Sequence, residues 1–91
     1  MDKLCIKVSR DASKLIKSLS EDVKEYIGVS INYLVSSRVL DWEDVAKLSG
    51  EDLIQMVMET DDVHSLEELE CKADNFCWHY GFVGYKIQSR F

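Results

Sequence analysis

The sequence predicts an α+β fold that is mainly α, in which an N-terminal strand, four to five helices and a C-terminal strand form a single small domain. The first observation behind this prediction is the hydrophobic period, which is two residues at both ends of the chain and helical in between. The second is that 46% of the 91 residues are hydrophobic, with no proline and only four glycines, which is typical of a folded domain without linkers. We therefore interpret residues 1–91 as one domain, made of a strand-helix-helix unit at 1–40, an acidic helical part at 41–80 and a closing strand at 81–91.

The N-terminal segment LCIKVS, residues 4–9, alternates apolar and polar side chains, which predicts a strand with one buried face. Over residues 11–27 the apolar side chains fall instead at i, i+3, i+4 and i+7, the spacing of an amphipathic helix. Gly28 is suited to end this helix, because glycine readily adopts the left-handed conformation found after helix C-termini. Ser30 then predicts the cap of a second helix that extends to about residue 40.

The same spacing predicts three more helices and a closing strand. A short helix begins at Trp42, and another follows a break at Ser49 and Gly50. Ser65 with Glu68 forms a capping-box pattern for the last helix. The predicted apolar face of that helix comprises Leu66, Leu69, Ala73, Phe76, Cys77 and Tyr80. The C-terminal segment alternates again and is predicted as a strand, with Val83, Tyr85 and Ile87 on one side.

The net charge of −6 is distributed unevenly along the chain. Residues 1–40 carry seven Lys and Arg against five Asp and Glu, whereas residues 41–80 carry two lysines against twelve acids. An acidic field attracts a basic surface and raises the rate of encounter with it. Because the commonest large basic surfaces in a cell belong to proteins that handle nucleic acid, the asymmetry favours such a partner. An acidic face that only keeps the protein soluble would have the same composition.

One predicted helix concentrates part of this charge. After Ser65, three carboxylates and a tryptophan recur at i, i+3 and i+4 steps, so they share a surface distinct from the apolar face. Tryptophan is among the residues most enriched in binding hot spots. The residues that we predict to bind a basic protein partner are Glu67, Glu70, Asp74, Trp78, Asp61 and Asp62.

Residues 4–40 resemble a ribbon-helix-helix protein of the antitoxin and repressor type. The resembling segments are, in order, the strand LCIKVS, the helix DASKLIKSLSEDVKEYI, the joint GVS and the helix INYLVSSRVL. In that family the strands of two chains pair into a ribbon that enters the major groove, so the resemblance implies a homodimer that binds DNA. By position, it implies base contacts from Lys3, Cys5 and Lys7, with Ser9 or Arg10 near phosphate.

Residues 22–40 are also similar to the helix-turn-helix of lac-repressor-type regulators. The turn of that motif carries Gly-Val-Ser, as Gly28, Val29 and Ser30 do here, and Leu34 matches a further position. A third interpretation needs no DNA: Gly28 ends one helix, Ser30 caps the next, and the joint serves packing alone. All three interpretations place a helix boundary at Gly28.

Two functions follow as expectations. The first is a non-enzymatic binding or inhibitory protein whose acidic surface, residues 41–74 with Trp78, docks on a basic protein that handles nucleic acid. Phage anti-defence proteins that mimic DNA and antitoxins that mask a nuclease work in this way. The alternative is a dimeric ribbon-helix-helix transcription regulator that binds DNA through its N-terminal strand.

No enzyme chemistry is predicted, because the sequence has neither a glycine-rich phosphate loop nor carboxylates at acid/base spacing. On one helix Cys71 and Cys77 are turned about 120° apart. With His64 and His79 they therefore do not predict a metal site, and we expect no cofactor. The chain has no signal-peptide run and no apolar stretch of membrane-spanning length, so we expect a cytoplasmic protein, in the host cell if it is viral, without a membrane partner.

Overall fold

The computed structural model of the protein describes residues 5–82 and 84–89. The elements in chain order are β1 (Cys5–Val8), α1 (Arg10–Lys17), α2 (Glu21–Ser36), α3 (Trp42–Lys47), α4 (Gly50–Thr60), α5 (Leu66–Tyr80) and β2 (Lys86–Ser89). The predicted fold class, mainly helical α+β with a strand near each end, is confirmed. Among the helices of this described part, none has the length and hydropathy that crossing a bilayer requires.

The two strands come from opposite ends of the chain and form a parallel two-stranded sheet, with Ile6 opposite Ile87. Neighbouring parallel strands need a crossover connection, and here that connection contains all five helices. Ile6 is buried and Lys7 is exposed, as the alternating pattern predicts. The predicted strand residues Leu4 and Val83 lie outside the described residues.

The helices enclose one hydrophobic core on the sheet. Strand β1 packs against α2 and α3, α1 packs against α4 and β2, and α2 packs against α4 and, most extensively, α5. Burying one large aliphatic side chain contributes about 1.5–3 kcal/mol, so these side chains dominate the stability of the fold. The most completely buried of them are Ile6, Val8, Ile16, Ile27, Ile31, Val45, Leu53, Val57 and Leu69.

The first helix boundary differs from the prediction. The first helix ends at Lys17 and the second begins at Glu21, so the predicted single helix over residues 11–27 is wrong. At the break, the Ser18 hydroxyl donates to the Leu15 carbonyl at 2.6 Å, and the Ser20 side chain caps α2. Serine side chains compete with helical hydrogen bonds in this way, which explains the break. The apolar residues before and after this boundary continue the same helical spacing, so the spacing of apolar residues alone does not reveal where α1 ends.

Gly28 lies in the middle of α2, where it is buried. The boundary predicted there is therefore absent, and the helix continues to Ser36 instead of ending at Gly28 and restarting after Ser30. The Ser30 hydroxyl donates to Asp61 rather than capping a helix. Residues 28–30 are therefore part of one continuous helix in this structure.

The three later helices begin where the sequence predicts. Helix α3 starts at Trp42, and Ser49 caps α4. The Ser65 hydroxyl accepts a hydrogen bond from the Glu68 amide at 3.1 Å. The Glu68 carboxylate accepts from the His64 amide rather than from that of Ser65, so the reciprocal bond of the capping box is displaced by one residue.

The apolar face of α5 is only partly as predicted. Leu69, Ala73 and Cys77 are buried, which confirms the central stripe. Leu66 and Tyr80 are 62% and 77% exposed, so their predicted burial is wrong. These two residues are the first and last of the helix, where its apolar stripe extends past the packing partner.

Candidate interaction surface

Three carboxylates and a tryptophan form an exposed face on α5, which we call the acidic face: Glu67, Glu70, Asp74 and Trp78. A helix turns about 100° per residue, so i, i+3 and i+4 spacing keeps these side chains within one sector. Trp78 is 82% exposed, the largest exposed fraction among the large hydrophobic side chains described. The structure thus brings together on α5 four of the six predicted partner-binding residues.

The charge of the acidic face is not neutralised by neighbouring cations. Glu67 and Glu70 form no ion pair and accept no hydrogen bond from the residues described. Lys72, the only lysine on α5, donates instead to the backbone carbonyl of Asp61 at 2.8 Å. The carboxylates therefore remain available to an external cation.

Helix α2 adds a carboxylate beside this face. Asp22, in the first turn of α2, lies close enough to Asp74 on α5 for the two carboxyl groups to interact. Desolvation raises the pKa of Asp22, and the hydrogen bond and negative charge of Asp74 raise it further, with a smaller contribution from Glu21. Two like charges at this distance repel each other, which favours the approach of a cation. The sequence analysis missed Asp22, because only the packing of α2 on α5 brings the two residues together.

The remaining two predicted residues, Asp61 and Asp62, follow α4 and lie elsewhere. Asp61 accepts hydrogen bonds through Oδ2 from the Tyr26 hydroxyl at 2.7 Å and the Ser30 hydroxyl at 3.1 Å, which fastens the end of α4 to α2. Burial raises the pKa of Tyr26, and the hydrogen bond to Asp61 raises it further, so the phenol remains a donor. Asp62 is exposed, with its Oδ1 3.2 Å from Nε2 of His64.

Aromatic side chains line a groove of about 370 Å³ between α2, the end of α4 and α5. The Tyr26 and Phe76 rings meet edge to face with centroids 5.8 Å apart, and Tyr80 continues the row 4.9 Å from Phe76. Tyr33 is 68% exposed. The residues that line this groove, which we call the aromatic groove, are Tyr26, Val29, Ser30, Tyr33, Thr60, Asp61 and Phe76.

The described residues among those predicted to bind DNA lie on β1 and at the start of α1. Lys3 lies outside the described residues, and Lys7 is exposed on β1. The Ser9 hydroxyl is engaged within the fold: it accepts from the Ala12 amide at 3.1 Å and donates to the Leu48 carbonyl at 2.7 Å. Arg10 is exposed as the first residue of α1.

Helix α1 also carries a basic stripe that the sequence analysis did not single out. Arg10, Lys14 and Lys17 are exposed at i, i+4 and i+7, so they share one side of the helix. The i, i+4 and i+7 spacing of these three cations is visible in the sequence, and it was enough to predict the basic stripe. The described surface therefore has a basic α1 and an acidic α5.

The cysteine and histidine side chains do not assemble into a site. Across residues 5–82 and 84–89, no three His, Cys, Asp or Glu side chains are grouped so that they could hold a metal ion. Cys77 is buried with its thiol 3.7 Å from the Asp22 carbonyl, and burial raises its pKa, with smaller contributions from nearby acids. Cys71 is exposed.

No protein-family model, no curated protein and no solved structure matches this chain. The chemistry of the described surface is therefore what indicates a function. That surface defines an acidic α+β protein with three notable features: the acidic face of α5 with its exposed tryptophan, the aromatic groove on the other side of α5 and the basic stripe of α1.

Proposed function

We propose that this protein is a non-enzymatic binding or inhibitory protein, whose acidic face docks on a basic protein that handles nucleic acid. The observation that carries the proposal is Trp78, 82% exposed on the same side of α5 as carboxylates that have no cationic partner among the described residues. Phosphates on DNA present a similar row of negative charge to such a partner. The proposed role is therefore that of a DNA mimic, as in phage anti-defence proteins or antitoxins.

The energetics of the acidic face support this proposal. Like charges at i, i+3 and i+4 weaken a helix by a few tenths of a kcal/mol per pair. An exposed indole leaves a large apolar area in water, at about 25 cal/mol per Å². Both costs are recovered when a basic surface covers the face, because the cation pairs with the carboxylates and the indole becomes buried. Electrostatic attraction also accelerates the encounter.

The test compares two variants of equal net charge, with a deca-arginine peptide as the basic probe. The face variant carries Glu67→Gln, Glu70→Gln and Asp74→Asn. The control variant carries Glu43→Gln, Glu51→Gln and Asp52→Asn, three exposed acids outside α5. Both lose three negative charges, so only the position of the lost charges differs. Binding is measured by calorimetry at several salt concentrations.

We expect the face variant to bind the peptide about tenfold more weakly than the wild type, since each exposed ion pair contributes about 0.2–1 kcal/mol. The control variant should stay within about twofold of the wild type. Equal losses in both variants would overturn the proposal, because the peptide would then respond to net charge and not to the acidic face.

The basic stripe supports a second candidate function, that of a dimeric DNA-binding regulator. Lys7 on β1 and the three cations of α1 are all exposed, in the half of the chain whose net charge is positive. A ribbon-helix-helix dimer would have to use the edge of β1 that does not pair with β2. The test is binding to random duplex DNA across a salt series, with the mass in solution measured alongside. Salt-sensitive binding by a dimer supports this candidate, and no binding at low salt rejects it.

A further inference from the structure

We infer that the aromatic groove is a binding pocket for a guanidinium group, supplied by an arginine side chain of the partner. The identity of the partner as a basic protein rests on the proposed function. The chemistry of the pocket rests on its own residues. It combines aromatic rings with a carboxylate oxygen that accepts no hydrogen bond from the described residues, and this combination suits a planar cation.

The aromatic rings of the groove can attract and stack on a guanidinium group. Tyr26 and Phe76 form one wall, held edge to face, while Tyr33 reaches the same groove from the next turns of α2. Ring faces carry partial negative charge and attract a cation within about 6 Å. A guanidinium group also stacks flat on such a ring, which an ammonium group does not do.

The carboxylate of Asp61 provides a negatively charged hydrogen-bond acceptor for the guanidinium group. Its Oδ2 already accepts hydrogen bonds from Tyr26 and Ser30. Its Oδ1 accepts none from the described residues, and the carboxylate forms no ion pair with them. Because Asp61 is half-buried at the groove, its charge is less screened than that of a fully exposed acid. A guanidinium N–H directed at Oδ1 would form a charge-assisted hydrogen bond.

The positive charge of Lys72 weakens the attraction of the groove for a guanidinium group. Its ammonium group lies 2.8 Å from the carbonyl oxygen of Asp61, so one cation already lies near the groove without pairing with the carboxylate. Its positive charge opposes the entry of a second cation. Replacing it with glutamine should therefore strengthen binding of a guanidinium probe, whereas a purely apolar pocket would not respond.

The pocket is separate from the acidic face. Phe76 and Trp78 are two residues apart on α5, which turns their side chains about 200° apart around the helix axis. A partner that used both sites would have to contact two different sides of α5. The two sites are tested by substitutions at different residues, so failure of one does not decide the other.

The experiment is an NMR titration of the isotopically labelled protein with N-acetyl-arginine methylamide. The matched control ligand is N-acetyl-citrulline methylamide, which has nearly the same shape and no charge. We expect saturable shifts confined to Tyr33, Asp61 and Phe76 and their neighbours with the arginine ligand, and at most weak shifts with citrulline. N-acetyl-lysine methylamide should bind less tightly than arginine, because it cannot stack.

Three variants test the assignment. Asp61→Asn keeps an oxygen that accepts from Tyr26 and Ser30 but removes the charge, and it should weaken binding about tenfold. Tyr33→Leu, at an exposed position, should weaken it severalfold without affecting the fold. Lys72→Gln should tighten it. Equal binding of arginine and citrulline, or shifts spread over the whole surface, would overturn the inference, and stronger binding of lysine would replace guanidinium by an ammonium ligand.

Discussion

The ring of Tyr85 lies directly against Gly28, so closely that a Cβ atom on Gly28 would come within 2.7 Å of the Tyr85 Cγ and Cδ2 atoms. Beside this contact, the Gly84 amide donates to the buried carboxylate of Glu25 at 3.0 Å. The segment that leads into β2 thus contacts α2 through the Tyr85 ring and the Gly84 amide. The glycine in the middle of α2 serves close approach, not helix termination.

Gly28→Ala should destabilise the protein by about 1 kcal/mol. Overpacking costs about 1–3 kcal/mol, and the better helix propensity of alanine recovers about 1 kcal/mol. In a Tyr85→Ala background the clash is absent, so the same substitution should stabilise the protein by up to about 1 kcal/mol. Urea unfolding of the four proteins of this double-mutant cycle measures the difference. If alanine had the same effect in both backgrounds, Tyr85 would not explain the glycine.

Asp11 of α1 caps α4 across the interface between the two helices, because its Oδ2 accepts from the Gly50 amide at 2.6 Å. Asp11→Ala should lower the free energy of unfolding by about 1 kcal/mol, since a helix N-terminal amide loses its acceptor. The matched variant is Asp52→Ala, which removes a carboxylate near the same helix end but no hydrogen bond to a helix amide. Asp11→Asn should retain most of the stability. A larger loss for Asp52→Ala would contradict this assignment.

Asp74→Asn should raise the Tm at neutral pH. The pKa of Asp22 is raised in the folded state, so the folded state binds this proton more tightly than the unfolded state does. The free energy of unfolding therefore falls as pH rises from the unfolded pKa through the folded pKa of Asp22. Removing the charge of Asp74 removes the part of that loss that Asp74 causes, and the gain should shrink as pH falls below the folded pKa of Asp22, where the Asp22 carboxyl is neutral.

The control for this pH series is Glu70→Gln, which removes another charge of the acidic face, one that does not contribute to the raised pKa of Asp22. Its Tm difference from the wild type should vary little over the acidic range. A similar pH profile for both variants would show that the general charge of α5, not the pair formed by Asp22 and Asp74, accounts for the effect.

The thiols of Cys71 and Cys77 should react at different rates with iodoacetamide. Cys71 is exposed and should react in the native protein, whereas Cys77 is buried with a raised pKa and should react only on unfolding. Mass spectrometry with and without guanidinium chloride identifies the labelled residues. Native labelling of Cys77 as fast as that of Cys71 would show that the interface between α2 and α5 opens readily.

The sequence predicted the order of elements because each signal was local. Alternation identified β1, and Ser49 and Ser65 marked the starts of α4 and α5. The boundary before α2 was missed because the apolar stripe continues in phase across Ser18 and Ser20. Gly28 was misinterpreted because glycine serves either a helix end or a close contact, and only the tertiary position of Tyr85 decides between the two.

The two candidate sites also differ in how far the sequence predicts them. The acidic face lies on one helix, so residue spacing was enough to predict which side chains share a surface. The contact between Asp22 and Asp74 joins two helices that are distant in sequence, as does the hydrogen bond of Tyr26 to Asp61. Such contacts depend on how α5 packs on α2, which periodicity does not specify. The pocket could therefore be found only from the structure.

The most direct test of the central claim uses the two tryptophan indoles as internal reporters. Trp78 lies in the acidic face, and Trp42 packs against the hydrophobic core at the start of α3. In a titration with the deca-arginine peptide followed by NMR, we predict that the indole N–H signal of Trp78 shifts and saturates while that of Trp42 stays in place. Equal shifts of both signals, or a shift of Trp42 alone, would contradict the assignment of α5 as the binding surface.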